Sequence, residues 1–264
     1  MKRNDKLISG LNTDFVAKKN YDPIRPGLAV SFFTAIPGLS GFWPGRLYIS
    51  TNGLVDLSGN NNPLTRNGSS YATVENGLSR VNLDGDDYFS KATTAAFSFS
   101  GSTGLYEAPY KGVTIGGWFY HRTQPNVFPM MMGKANLGSV TNRNYALYCN
   151  FNSSSKPVFE ISNGTTTVSV QSTSDLLTLN TWHFIVGRYQ LNTNMSVFID
   201  GDLTNKTTGI PATMQTNSDD FTIGAWHGGL LPMDGQFALA FMTPQWLPDD
   251  HVRNLWKVSA GIFT

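Results

Sequence analysis

Between residues 182 and 241, apolar and polar side chains alternate with a period of two. Met195, Val197 and Ile199 interleave with Ser196, Phe198 and Asp200. Phe221, Ile223 and Ala225 repeat the pattern, as do Phe237, Leu239 and Phe241. A period of two places every second side chain on one face, which is the signature of a strand and not of a helix. Asp200-Gly201 offers the left-handed backbone that closes a hairpin. The stretches between the runs are rich in Asn, Thr, Ser and Gly and read as turns. A helix is predicted only near the C-terminus. There Pro248 suits a first helical position, Asp249 and Asp250 complement the helix dipole, and Val252, Leu255 and Trp256 share a face.

The strand pattern extends upstream through Val113–Tyr120, Val127–Met132, Tyr145–Phe151, Val158–Ile161, Thr166–Val170 and Trp182–Tyr189. Short strands at turn-rich spacing predict a two-sheet antiparallel sandwich. Several strands, Trp182–Tyr189 among them, are apolar on both parities, so they are expected to be covered on both faces, as in a jelly roll. Charged residues are 14% of the chain, well below the usual quarter or so. The polar surface must therefore be built from Asn, Ser and Thr.

The net charge of +1 supplies no field that would gather nucleic acid or anionic lipid, and neither is expected as a partner. The single cysteine, Cys149, excludes an intrachain disulfide and reads as a buried, inert thiol. No apolar run approaches the length of a membrane span. Met1-Lys2-Arg3 begins like a signal peptide but lacks the apolar stretch behind it, so synthesis in the cytoplasm without export is expected. Residues 1–28 differ from the rest. Lys2, Arg3, Lys6, Lys18, Lys19 and Arg25 outnumber Asp5, Asp14 and Asp22, apolar residues are sparse, and Asp22-Pro23 and Arg25-Pro26-Gly27 are expected to break any regular element. This segment reads as an N-terminal arm that docks on a neighbouring protein, with the β domain over 29–264.

The order of motifs resembles the laminin-G-like branch of the concanavalin A-like lectin/glucanase superfamily. The matching segments are Gly53–Asn60, Val81–Tyr88, Val113–Trp118, Asn180–His183, Phe198–Gly201 and Leu247–Trp256. The resemblance covers about residues 40 to 258 and implies an all-β jelly-roll sandwich with a short C-terminal helix. One departure lies after Asp234-Gly235, where the family usually has acidic residues and this chain has Phe237-Ala238-Leu239-Ala240. The phage-encoded members it is similar to imply a virion setting.

Glycoside hydrolysis needs two carboxyl groups ~5–9 Å apart across one bond. The resemblance implies that a glucanase would carry them as Glu-x-Asp-x-Glu on one strand. The three glutamates here, Glu75, Glu107 and Glu160, have no acid two residues away. His183 and His227 have no nucleophile-bearing motif beside them. The calcium site that the resemblance implies would fall in His121–Asn126, which carries no acid and adds Arg122, so no metal is expected there. Asp84, Asp86 and Asp87 are left open as a different structural cation site. Scattered histidines and one cysteine do not make a zinc site. For a glycan, an aromatic beside amides and hydroxyls is required. Trp226 and His227, in a glycine-bordered loop, are the expected ligand residues, with Tyr120, Arg122 and Asn144 as polar company. Trp226 is expected to be exposed, because Phe221, Ile223 and Ala225 take the core parity.

The expected protein is thus a non-enzymatic virion surface component, a capsid decoration or a tail or fibre part, without cofactors. It would join other virion proteins through its arm, form an oligomer and contact cell-surface glycan. A lectin-like module that recognises polysaccharide is the competing reading, and a glucanase-type hydrolase the third.

Overall fold

The computed structural model describes residues 25–45, 49–50, 53–75, 77–99, 111–123, 128–139, 142–151, 155–173 and 177–263. Residues 1–24 of the expected arm, and Glu107, lie outside that set. In chain order the elements are α1 (Arg25–Thr34), β1 (Gly41–Trp43), β2 (Ile49–Ser50), β3 (Gly53–Leu54), β4 (Leu64–Asn67), β5 (Tyr71–Glu75), β6 (Leu78–Asp84) and β7 (Tyr88–Lys91). There follow β8 (Lys111–His121), β9 (Met130–Ala135), β10 (Arg143–Asn150), β11 (Lys156–Ser162), β12 (Thr167–Gln171), β13 (Trp182–Gln190), β14 (Asn194–Ile199) and β15 (Asp202–Lys206). The chain closes with β16 (Phe221–Ile223), β17 (Asp234–Gln245) and α2 (Asp249–Phe263).

The strands form two antiparallel sheets. The first runs β15-β14-β13-β8-β17-β6-β5, with β1 added on β17. The second runs β12-β11-β10-β9-β16-β7-β4-β3-β2. Their inner faces bury one core that includes Trp43, Phe89, Phe119, Tyr145, Phe159 and Phe237. This is the expected all-β sandwich.

The first sheet is apolar on both faces because both are covered. Its outer face carries a second core, built from Trp118, Phe184, Phe198, Ala238, Leu239 and Phe241 against α1 and α2. Leu239 sits at φ +50, where β17 slips register against β8 between Ala238 and Phe241. This bulge shifts the parity by one, so Ala238 and Leu239 both join the outer core while Phe237 and Ala240 remain inside.

α1 is a correction. The β pattern was expected from about residue 29, and Arg25-Pro26-Gly27 was expected to forbid regular structure. A proline in the first turn removes an N–H that has no helical partner anyway, so it starts this helix instead of breaking it. Ala29 and Phe33, four residues apart, share the buried face. The Phe33 ring stacks on Phe42 at 5.5 Å and meets Phe241 edge-on at 5.4 Å. The predicted C-terminal helix is present as α2. Arg188, fully buried, latches it to the sheet by donating to Ser196 Oγ (2.8 Å), the Leu247 carbonyl (2.6 Å) and Asp249 Oδ1 (2.7 Å).

The β14–β15 hairpin turns at Asp200 (φ +48) and Gly201 (φ +103), as the Asp-Gly pair predicts. A Cβ on Gly201 would stand 3.0 Å from the Trp256 ring on α2. Gly201→Ala is therefore expected to cost about 1–2 kcal/mol from backbone strain and crowding together. Urea unfolding at neutral pH checks this, and an unchanged midpoint would show that the turn relaxes freely.

Candidate functional site

The helices cover only part of the outer face of the first sheet. At their edge, the strand register lines up one row of side chains. Tyr71 on β5 faces Asn82 on β6, Asn82 faces Gln236 on β17, Gln236 faces Tyr120 on β8, and Tyr120 faces Trp182 on β13. Directly paired residues in an antiparallel sheet project to the same face. Leu78, on the same parity as Asn82, lies in the outer core, and Val81 and Leu83 lie in the inner one, so the row belongs to the outer face. It presents aromatic, amide, amide, aromatic, aromatic.

Tyr71 is 58% exposed, on an edge strand whose five residues are all exposed. Tyr120, Trp182 and Gln236 are half-buried, and Asn82 is buried as part of the floor. The Tyr120 and Trp182 rings lie 5.5 Å apart, tilted by 49°. Trp182 rests on Phe263 of α2 at 4.9 Å. Tyr120 Oη donates to Asn180 Oδ1 (3.3 Å). Asn82 donates to Thr73 Oγ1 (3.2 Å) and accepts from Arg122 (3.5 Å).

Two guanidinium groups border the row, and each already faces a carboxylate. Arg122 pairs with Asp234, whose other oxygen accepts from Thr123 Oγ1 (2.5 Å). Arg80, buried on the same face as the row, lies 5.0 Å from the Trp182 ring centroid and pairs with Glu75. Burial pulls the Arg80 guanidinium below its usual value, and Glu75 pulls it partly back.

The five residues expected to bind ligand do not come together. Tyr120 stands on the row just described, and Arg122 borders it. Asn144 lies in β10 of the second sheet, and Trp226 and His227 in the turn after β16 of that sheet. Trp226 is 1% exposed, which corrects the expectation that it is open to solvent. β16 ends at Ile223, and Gly224 at φ +94 reverses the chain, so counting parity from Phe221 does not reach residue 226. Trp226 folds over the outer face of the second sheet against Met130, Ala135 and Ala146. Its Nε1 donates to the Phe128 carbonyl (2.8 Å), and the Arg143 guanidinium sits 5.0 Å from its ring. Asn144 is also buried, and its amide exchanges hydrogen bonds with the backbone of Phe99 (2.9 and 3.4 Å). His227 is half-buried, and its Nδ1 accepts from the Asp220 N–H (3.1 Å).

Several other ionisable groups are occupied by the fold. Glu160 pairs with Arg143 on the second sheet, and Glu75 lies on the first, so these two glutamates do not flank a common bond. His183 Nδ1 meets Asp200 Oδ2 at 2.5 Å, and its Nε2 accepts from the Thr178 N–H (3.2 Å), which ties the start of β13 to the hairpin turn. Cys149 is buried as expected, and desolvation pushes its thiol well above the ordinary value. Asp84, Asp86 and Asp87 gather within 4.8 Å. Asp87 accepts from the N–H groups of Ser69, Ser70 (2.9 Å) and Asp84 (3.3 Å), the work of a turn carboxylate. Hydrogen bonding with Asp86 lowers Asp84, and Asp84 in turn raises Asp86. No helix among the described residues is long and apolar enough to cross a membrane.

Residues 91–240, more than half of the chain, match a laminin-G family model described as the concanavalin A-like lectin/glucanases superfamily. A sequence search of curated proteins returns no match. Among solved structures, the chain is similar to the binding domain of Paraclostridial Mosquitocidal Protein 1, with TM-score 0.63, 12% identity, and coverage of 83% of this chain and 52% of that one. It is similar to the receptor binding domain of botulinum neurotoxin C/D mosaic serotype, with TM-score 0.62, 11% identity, and coverage of 83% and 51%. A third is the binding domain of botulinum neurotoxin DC in complex with SialylT, with TM-score 0.55, 13% identity, and coverage of 85% and 52%. At these identities the likeness is one of fold, and the chain spans about half the length of each structure.

Proposed function

The chain belongs to the concanavalin A-like lectin/glucanases superfamily, and we propose that it acts as a non-enzymatic glycan-binding module through the row Tyr71–Asn82–Gln236–Tyr120–Trp182. The observation that carries this reading is the register itself, which sets three aromatic rings and two amides in one row on the outer sheet face beside the helices. The apolar faces of sugar rings stack on aromatic side chains, while their hydroxyls need donors and acceptors fixed at the same surface. Gln236 provides both on a half-buried side chain. The solved structures similar to this chain are described as binding domains, which supports the reading without transferring any ligand.

The virion surface expected from the sequence is the setting we propose for this adhesion, with the segment before α1 joining neighbouring virion proteins. Mass spectrometry of purified particles tests that setting separately.

Affinity electrophoresis through polysaccharide-containing gels, followed by titration with the retarding glycan, tests the module. Tyr120→Ala is expected to weaken binding about tenfold or more, the effect of removing a central aromatic contact. Gln236→Ala is expected to act in the same direction. His227→Ala, on the other sheet, is expected to bind like the unaltered protein. Equal binding by all three variants would remove the row from the site.

A further inference from the structure

This inference rests on the glycan reading and concerns which glycans fit. The row is straight in register, runs across the strands and is open at its Tyr71 end, while the Trp182 end packs on Phe263 of α2. From Tyr71 on β5 to Trp182 on β13 it crosses four strand spacings, about 19 Å at ~4.8 Å each. That is the length of roughly four pyranose units at one unit per spacing. Among the described residues, no wall closes the Tyr71 end, because β5 is the edge of its sheet and all five of its residues are exposed. Among the described residues, that end has nothing that would recognise a chain terminus. The row suits an internal stretch of an extended chain.

The charges around the row narrow the class further. The cations that touch it, Arg80 and Arg122, each already face a carboxylate, Glu75 and Asp234. Asp84 and Asp86, both exposed, follow Asn82 at the end of β6 and add negative charge, with no cation paired to them among the described residues. Among the described residues, an acidic sugar laid on the row would meet no free positive partner, and these two carboxylates would repel it.

Tyr71 stands apart from the other aromatics. Three strand spacings separate it from Tyr120, with Asn82 and Gln236 between. Tyr120 and Trp182 touch each other and form a compact pair that two sugar units would cover.

From these observations we infer that the row binds an internal stretch, about four units long, of a neutral linear polysaccharide, with Tyr71 as the anchor of the outlying unit. The Tyr120–Trp182 pair holds one end of the stretch, Gln236 and the Asn82 floor meet its middle, and Tyr71 engages only chains long enough to reach it.

Calorimetric titration with neutral linear oligosaccharides of two to six units (cello-, laminari- and malto-series) tests this, with oligogalacturonates of the same lengths as the acidic comparison. In the series that binds, affinity is expected to rise about tenfold or more from the dimer to the tetramer and then level off. Tyr71→Ala is expected to abolish that rise and leave the dimer unaffected. Tyr71 is exposed on an edge strand, so this variant should unfold at the same urea concentration as the unaltered protein.

Binding that is independent of length, a rise that survives Tyr71→Ala, or preference for the acidic series would overturn the inference. The glycan reading would still stand if Tyr120→Ala weakened that binding. Failure of every saccharide to bind would overturn both.

Discussion

Trp226→Ala is expected to destabilise the protein by about 3–5 kcal/mol, the range for deleting a large aromatic from a packed interior. The side chain is enclosed by Met130, Ala135 and Ala146, with the Tyr148 ring at 5.4 Å and the Arg143 guanidinium over its face. Its removal also leaves the Phe128 carbonyl without the indole N–H. Arg143 would lose a ring contact while keeping its pairing with Glu160, so the damage should be mainly a cavity. A domain of this kind is stable by only about 5–15 kcal/mol, so the change should be plain in a urea midpoint. A loss under about 0.5 kcal/mol would mean that the loop over the second sheet opens in solution and that Trp226 is a surface residue after all.

Acid is expected to destabilise the fold through His121. This residue is 2% exposed, and desolvation holds its imidazole at about 3 against an ordinary value of 6.5, with the neighbouring His183 pushing the same way and Asp234 opposing. Its Nε2 lies 3.1 Å from Cys149 Sγ, and its Nδ1 is buried without a partner among the described residues. Because the folded value is depressed, the unfolded chain takes up a proton first as the pH falls below 6.5, and stability must drop. The slope approaches about 1.4 kcal/mol per pH unit, and the loss between pH 6.5 and about pH 5 is roughly 1.5–2 kcal/mol. His251, also lowered by burial, adds in the same direction. Urea unfolding across this window should show the loss in the unaltered protein and a shallower slope in His121→Gln. Equal slopes in the two would show that His121 is not the proton-linked group.

The fold class was legible in the sequence because it depends on short-range physics. A period of two needs only neighbouring residues to declare a strand, and Asp200-Gly201 declares its own turn. The C-terminal helix announced itself through Pro248, Asp249 and Asp250. α1 did not, because Pro26 and Gly27 carry local signals for a break, whereas the helix is held by what Phe33 meets far along the chain: Phe42, Phe184 and Phe241. Trp226 was misplaced for a similar reason, since one left-handed glycine cancels a parity count.

The candidate site was legible only in fragments. Tyr120 and Arg122 could be singled out as polar and aromatic residues beside a strand end. Nothing in the sequence joined Tyr120 to Tyr71, Asn82, Trp182 and Gln236, and Trp182 was visible only as part of a fold motif. Those five residues are separated by up to 165 positions and share a row only because five strands pair in one register. Periodicity fixes which face a side chain takes within its own strand. Which strands become neighbours, and which part of that face the helices leave open, is decided by how the whole chain buries its two cores.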